Sequence, residues 1–591
     1  MADPIEYRVS LAERARHLIT VEARFPTDGE SLLDLHLPAW TPGSYLIREY
    51  ARHVQDLTCV DEADRPLAVR KVDKATWRVG TEGVAEVRAR YRVYAHEITV
   101  RTSHVDQTHA YWNGACVFLY TDRQRAPLSP QAARVVVDAP AGWRVATGLD
   151  SDGSGGFVAP DYDTLIDAPF EVGSHDRIEF EALGKPHVLA LWGRPSTGFD
   201  RDRFRDDVKK IVETHAAQFH GIPYHHYTFL VHLVSGGYGG LEHRNSSTIL
   251  ASPFAFQTPN KYQDLLELIS HEFFHLWNVK RIHPDALGPF DYQREAYTRS
   301  LWIVEGWTSY YDRLALRRAG LQPAKRYLEK LGEELTRLAA IPGRLRQSLE
   351  ESSFDAWIKL YRPDENTVNS TVSYYLKGSI VALLLDLEIR RRTEGARSLD
   401  DALRALWSEF GQLGQGYPDD AIQPLVERAT GLSLDDFFAH AVRGRDELDL
   451  HGPLGSVGLR VKRADENKDK DKDKDKPAAW LGAHFAQEGD RLRVTESLED
   501  GPAQASGISP GDQVLACDGF RVDKESLVER IAAHRPGDAL RFTLFRRDEL
   551  CEVTVALGRR PHEKMVVEFV EDAPIAARSA YRAWLGEEWG A

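Results

Sequence analysis

Over the first 180 residues, apolar positions alternate with polar ones in short runs. Tyr7–Val9, Leu18–Ala23, Leu32–Leu37, Thr76–Val79 and Val87–Val93 carry this period of two, separated by Gly, Asp and Pro. Such runs predict half-buried strands, and together an all-β domain. From about residue 200 the spacing becomes helical. Phe204–Phe219, Asn260–Val279, Ser300–Ala319, Ala324–Ala339, Ser373–Arg392, Leu399–Phe410 and Leu434–Ala441 are predicted as helices. In Asn260–Val279, apolar Leu265, Leu266, Leu268, Ile269, Phe273 and Leu276 predict a largely buried helix. The pattern stops at Asp465–Lys476, which alternates in charge and has no apolar residue. A segment that cannot bury a face is a solvated linker or an exposed loop.

Beyond the linker, Ala479-Trp-Leu-Gly-Ala-His-Phe485 precedes Gly501-Pro-Ala-Gln-Ala-Ser-Gly507, Ile508-Ser-Pro-Gly-Asp-Gln-Val-Leu-Ala516 and Asp518-Gly519. This order of glycines resembles a PDZ domain. The resemblance makes Leu481, Gly482, Ala483, His484 and Phe485 the loop that takes a peptide carboxylate. It implies peptide binding by strand addition at a sheet edge. The fold expected is therefore a multidomain α+β chain. It has an N-terminal β-rich domain (1–180), a mainly helical, thermolysin-like catalytic domain (181–460), a charged linker (461–477), a PDZ domain (478–562) and a C-terminal docking segment (563–591).

Composition narrows the function. With 591 residues one core is too few. A net charge of −15 argues against nucleic acid as a partner. No run reaches the length of a membrane span, and the N-terminus lacks the apolar stretch of a signal peptide. The four cysteines, Cys59, Cys116, Cys517 and Cys551, are sparse and form no CxxC pair. They suit reduced thiols, and the location expected is cytoplasmic.

The chemistry centres on His271-Glu-Phe-Phe-His275. Four helical residues advance about 400° and rise about 6 Å, so both imidazoles leave one face. HExxH on a helix is a zinc signature, with Glu272 placed to take a proton from water. A third ligand is required. Glu305, in the apolar stretch Leu301–Asp312, is a carboxylate that would be costly without a countercharge. Asp312 is the alternative, and otherwise a surface residue or the partner of a ligand. Ser235-Gly-Gly-Tyr-Gly-Gly-Leu-Glu-His-Arg244 suits a strand edge that lets backbone approach a ligand at Gly239 and Gly240. Glu242 there is either the ion-pair partner of a substrate ammonium or a solvated hairpin carboxylate. Tyr374 and Tyr375 open a helix, where a hydroxyl can stabilise an oxyanion or simply pack. Pro38–Arg48 is either a rigid loop around Trp40 or a loop overhanging the site. Trp302, Trp307 and Tyr310 are core residues or pocket walls.

Taken together, Pro38–Arg48, His271–Pro284 (HEFFHLWNVKRIHP), Glu305–Tyr311 and the PDZ-like region resemble the glycyl aminopeptidase family. That family is a PDZ-bearing branch of the gluzincin metallopeptidases, related to the aminopeptidase N-like enzymes. The resemblance implies Zn2+ on His271, His275 and Glu305, with Glu272 as base. It implies that Glu242 in Gly239-Gly-Leu-Glu-His243 reads the substrate amine. Tyr375 in Tyr-Leu-Lys-Gly378 becomes the oxyanion stabiliser, with Tyr374 second. The implied substrates are peptides with free N-termini, glycine first and alanine next. Two departures stand out. His243 replaces an Asn. The 29 residues between His275 and Glu305 imply an inserted loop, supplied by Arg281–Tyr297. The rival functions are a metal-dependent endopeptidase and a non-catalytic PDZ scaffold.

Overall fold

The computed structural model describes residues 4–125, 130–464, 479–561 and 564–590. The expected linker from Asp465 to Pro477 lies outside them. The chain divides into two compact units, Met1–Thr298 with Tyr311–Gln322 and Ala402–Leu425, and Arg299–Tyr310 with Pro323–Asp401 and Val426–Ala591.

The first unit begins with the β domain. Ile5–Ser10, Leu18–Pro26 and Glu86–Tyr94 are consecutive neighbours in a seven-stranded sheet, and four- and three-stranded sheets accompany it. The alternation read from the sequence is the alternation of burial. In Glu86–Tyr94, Val87, Ala89, Tyr91 and Val93 are buried, and the residues between them are not. One core of aromatic and aliphatic side chains fills this domain.

A five-stranded sheet follows, in the order Asp176–Ala182, Lys185–Trp192, Tyr227–Leu233, Ser246–Ala251, Gly239–Glu242. Its middle is parallel, with Ala190 opposite Leu230 and Val231 opposite Ile249. The final strand runs antiparallel at the edge, with Gly240 opposite Ile249. The helical spacing expected from about residue 200 conceals most of this sheet. Tyr227–Leu233 is buried on both faces and shows no alternation, as central parallel strands do. The domain boundary at 180 falls inside the strand Asp176–Ala182. That strand turns at Leu183-Gly184, both at positive φ, and pairs back along Lys185–Trp192.

The helices Arg201–Gln218 and Pro259–Phe274 belong to the same unit. The second is capped by the Thr258 hydroxyl and has proline in its first turn. It ends at Phe274 rather than Val279. His275 is its C-cap, and Val279 sits at φ 141°.

The second unit is mainly helical, with Ala324–Ala339, Leu376–Arg392 and the PDZ region. The expected helix at 300–319 appears as a π-helical turn, Trp302–Trp307, running into the α-helix Thr308–Arg318. The PDZ region has its own core, including Leu492, Val494, Phe542 and Val555. The linker start at 461 moves: Leu459–Ala464 is a strand pairing with Lys564–Phe569, Ala464 opposite Lys564. Val461 and Ala464 therefore belong to the ribbon that precedes the charged run. No described helix is long and apolar enough to cross a membrane, and all four cysteines are free.

Candidate metal centre and active site

His271 and His275 lie one turn apart at the end of Pro259–Phe274, and their Nε2 atoms are 3.1 Å from each other. The far nitrogens explain this aim. His271 Nδ1 is 2.9 Å from Asp312 Oδ2, and His275 Nδ1 is 2.7 Å from the Asn278 carbonyl. Acceptors at Nδ1 place the proton there and leave the Nε2 lone pairs to converge. Burial pushes the Asp312 carboxyl up to about 6, against the pull of its bond to His271. Ser270 Oγ donates to the Asp312 carbonyl at 2.9 Å and meets His215 Nε2 at 2.8 Å, so the His271 helix and Asp312 are held in register. Asp312 is thus the partner of a histidine in this structure.

His271 and His275 belong to the first unit and Glu305 to the second. Two imidazoles that converge through Nε2 suit a divalent zinc-class ion. Glu305 is buried and belongs to the π-helical turn. Such turns recur at functional sites because they push one residue out of the regular helical repeat.

Glycines set the neighbouring positions. A Cβ on Gly306 would come within 2.6 Å of Gly378 Cα, and one on Gly378 within 3.0 Å of Gly306 Cα. The Trp302–Trp307 turn and the helix Leu376–Arg392 therefore touch backbone to backbone. This contact sets Tyr375, at the helix N-cap, beside the Glu305 turn. Tyr375 stacks on Tyr374 at 4.8 Å and faces the Tyr361 hydroxyl at 3.4 Å. Burial, then the Glu305 charge, raises its pKa well above the usual phenol value. Trp302, Trp307 and Tyr310 are buried. Tyr310 donates to Asp386 at 2.6 Å and accepts from Trp584 at 3.0 Å, which makes it a core residue.

The edge strand Gly239–Glu242 brings a second carboxylate. Glu242, Glu272 and His275 have ligand atoms within 4.8 Å of one another. Glu242 is 3% exposed, and its Oε1 has no hydrogen-bond partner among the described residues. Gly240 is required for this arrangement, since a Cβ there would collide with the Glu272 carboxylate. Gly239 sits at φ +139°, a conformation that favours glycine. Of the two glycines, Gly240 lies against Glu272, and a Cβ on Gly239 would meet open space. Tyr238 beside them is 70% exposed. His243 is buried with Nδ1 3.3 Å from Asp167, which also accepts from Lys280 at 2.7 Å. Burial raises the Asp167 carboxyl, but Lys280 and His243 outweigh it and hold it below its ordinary range.

The Pro38–Arg48 loop is packed around its tryptophan and also reaches Glu242. Trp40 is fully buried and donates to the Asp291 carbonyl at 2.9 Å. Gly43, at φ +85°, lies against Glu242 so closely that a Cβ would meet its carboxylate oxygens at 2.5 and 2.7 Å. The 281–297 stretch braces this loop: Ala39 N bonds the Tyr292 carbonyl at 2.8 Å, and Phe290 packs edge-on against Trp40. Gly43, Gly306 and Asn278 carry no chemistry of their own and escaped the sequence reading. A glycine inside an aromatic loop was the available signal for the first. In the PDZ region, Leu481 and Gly482, the latter at φ +74°, precede the edge strand Ala483–Glu488.

A helix ending in His271-Glu-Phe-Phe-His275, with both imidazoles converging through Nε2, is the pattern of a metallopeptidase of the HExxH class. The sequence models of known families agree. Residues 6–174 match the M61 peptidase N-terminal domain, 264–381 the M61 glycyl aminopeptidase and 479–557 a PDZ domain. The crystal structure of an aminopeptidase N family protein from Idiomarina loihiensis is 32% identical. It matches 98% of this chain and 100% of its own, with a TM-score of 0.91. The chain belongs to the M61 glycyl aminopeptidase family, whose class is the zinc metalloaminopeptidases. An M1 zinc metallopeptidase from Deinococcus radiodurans is also similar, at 14% identity over 76% of this chain and 95% of its own, with a TM-score of 0.47. A DegP-like periplasmic serine endoprotease of Brucella suis is 33% identical over 88 residues, 15% of this chain. The chain spans 17% of the length of that relative.

Proposed function

We propose that the protein is a zinc-dependent aminopeptidase that removes small N-terminal residues from peptides, glycine before alanine. The observation that carries this reading is Glu242. It is a buried carboxylate whose Oε1 has no hydrogen-bond partner among the described residues, beside Glu272 and His275. Two carboxylates so close repel, and a cation between them relieves the cost. A substrate α-ammonium is such a cation, and Glu242 holds it.

His271, His275 and Glu305 would hold zinc, which when bound would supply a Lewis acid to acidify water and polarise a carbonyl. Glu272 takes the proton from the attacking water and returns it to the leaving amine. The Tyr375 hydroxyl, kept protonated by burial, donates to the developing oxyanion. Gly43 lies against the Glu242 carboxylate, where a Cβ would not fit, and this crowding supports a preference for a small first residue. The family description, glycyl aminopeptidase, supports the same preference.

Residues 481–485 recruit a peptide chain end, in keeping with the PDZ match. The four free thiols support a reducing compartment, the cytoplasm.

The test is a panel of Gly-, Ala-, Leu- and Phe-p-nitroanilides together with acetyl-Gly-p-nitroanilide, each with and without a chelator. Turnover should fall from glycine to alanine to the larger residues and vanish with chelator. The acetylated substrate should be inert. Its efficient cleavage would favour the endopeptidase instead and remove the role given to Glu242.

A further inference from the structure

A second cluster of ligating side chains lies in the first unit, at residues the proposed chemistry does not use. His109, Glu171 and His232 have no solvent exposure. Their ligand atoms all lie within 4.8 Å of one another. His109 Nδ1 is 3.1 and 3.2 Å from the two Glu171 oxygens, and His232 Nε2 is 3.0 Å from Oε2. We propose that His109, Glu171 and His232 hold a second divalent cation of the zinc class, enclosed and structural.

Three strands build the site. His109 opens His109–Trp112, and Glu171 lies on the neighbouring Phe170–Gly173, where Gly173 pairs with His109. A Cβ at Gly173 would press on the His109 Cβ at 3.0 Å, so glycine admits the histidine. His232 comes from the parallel strand Tyr227–Leu233. The rings are fixed: Trp192 stacks on His109 at 3.6 Å and 13°, and Tyr111 meets His232 edge-on at 4.8 Å. Nothing about their orientation is left to solvent.

The chemistry asks for a cation. Glu171 is a fully desolvated carboxylate, and its hydrogen-bond partners are two imidazoles, with no lysine or arginine among them. A buried carboxylate in such a place needs a compensating cation. Zinc bonds of about 2.1 Å at tetrahedral angles set neighbouring donors ~3.4 Å apart, close to the separations seen. A further buried histidine lies in the same region. His175, 2% exposed, has both ring nitrogens buried without partners among the described residues, within electrostatic reach of Glu171 and His232.

The outward nitrogens, His109 Nε2 and His232 Nδ1, have no acceptor among the described residues. A ligand without an outer partner binds about 10–100-fold less tightly than one with it. The protein is therefore produced in zinc-supplemented medium before metal is counted. The decisive sample is the His271→Ala/His275→Ala double variant, which leaves the buried cluster intact. After gel filtration, mass spectrometry of the metal should find two zinc ions per wild-type chain and one per double-variant chain. Adding Glu171→Gln to the double variant should remove the last ion, with circular dichroism confirming the fold. Cobalt substitution of the double variant should keep the visible bands of an enclosed tetrahedral site. A folded double variant with no zinc would overturn the proposal and make the cluster an ion pair only. One ion in both wild type and double variant would keep this site and remove the one proposed for catalysis.

Discussion

A histidine that binds zinc must present one nitrogen and occupy the other. Asp312 does this for His271 through a side chain, and Asn278 does it for His275 through its backbone. Only the first can be removed by substitution. Asp312→Ala should lower zinc affinity by about 10–100-fold, as read by competition with a chromogenic chelator. Glu272 should separate chemistry from binding. Glu272→Gln should keep a full complement of zinc while kcat falls by about 10²–10⁴, the usual contribution of a general base. A variant that holds zinc and still turns over would remove that role. Gly240→Ala tests the crowding seen at the edge strand. Its methyl would strike the Glu272 carboxylate, so kcat should fall by at least tenfold with zinc retained, as metal analysis and steady-state rates would show.

At the scale of elements, the crossing of Gly306 and Gly378 carries the placement of Tyr375. Gly306→Ala or Gly378→Ala inserts a methyl where backbone atoms already touch. Overpacking of this kind costs about 1–3 kcal/mol. Each should lower the melting temperature and reduce kcat, as thermal denaturation and rate measurements would show. The motifs Val-Glu-Gly-Trp and Tyr-Leu-Lys-Gly were visible in the sequence, but the reason for their glycines was not. Sequence spacing reports what one element buries, and a close approach depends on two. The same limit hid the five-stranded sheet. Tyr227–Leu233 is buried on both faces and has no period to read. The HExxH helix and the strands at 86–94 were legible because each has one solvent-facing side that interrupts the apolar run. The π-helical turn at Trp302–Trp307 was hidden for a third reason, since its side chains are those of an ordinary buried helix.

For the molecule as a whole, the PDZ region behaves as an insertion between two strands. Leu459–Ala464 and Lys564–Phe569 pair antiparallel, with Ala464 directly opposite Lys564. The chain leaves and re-enters at neighbouring points, the geometry that lets inserted domains be removed without strain. Beyond the ribbon, the helix Ile575–Leu585 buries Tyr581, Trp584 and Leu585, and Trp584 bonds Tyr310. The C-terminal segment is thus anchored independently of the PDZ core. Arg346 and Asn369 also hold the PDZ region, through Glu499 and the Ser497 carbonyl. Those contacts are few and partly exposed, so their loss should cost little. Replacing residues 465–563 with an Asn-Gly turn should close the ribbon as a two-residue hairpin. The shortened protein should fold and keep kcat/KM on glycyl p-nitroanilide within about twofold. If residues 481–485 capture chain ends, activity on long peptides should fall selectively, through KM. Equal losses on both substrates would instead make the PDZ region a brace for the catalytic helices.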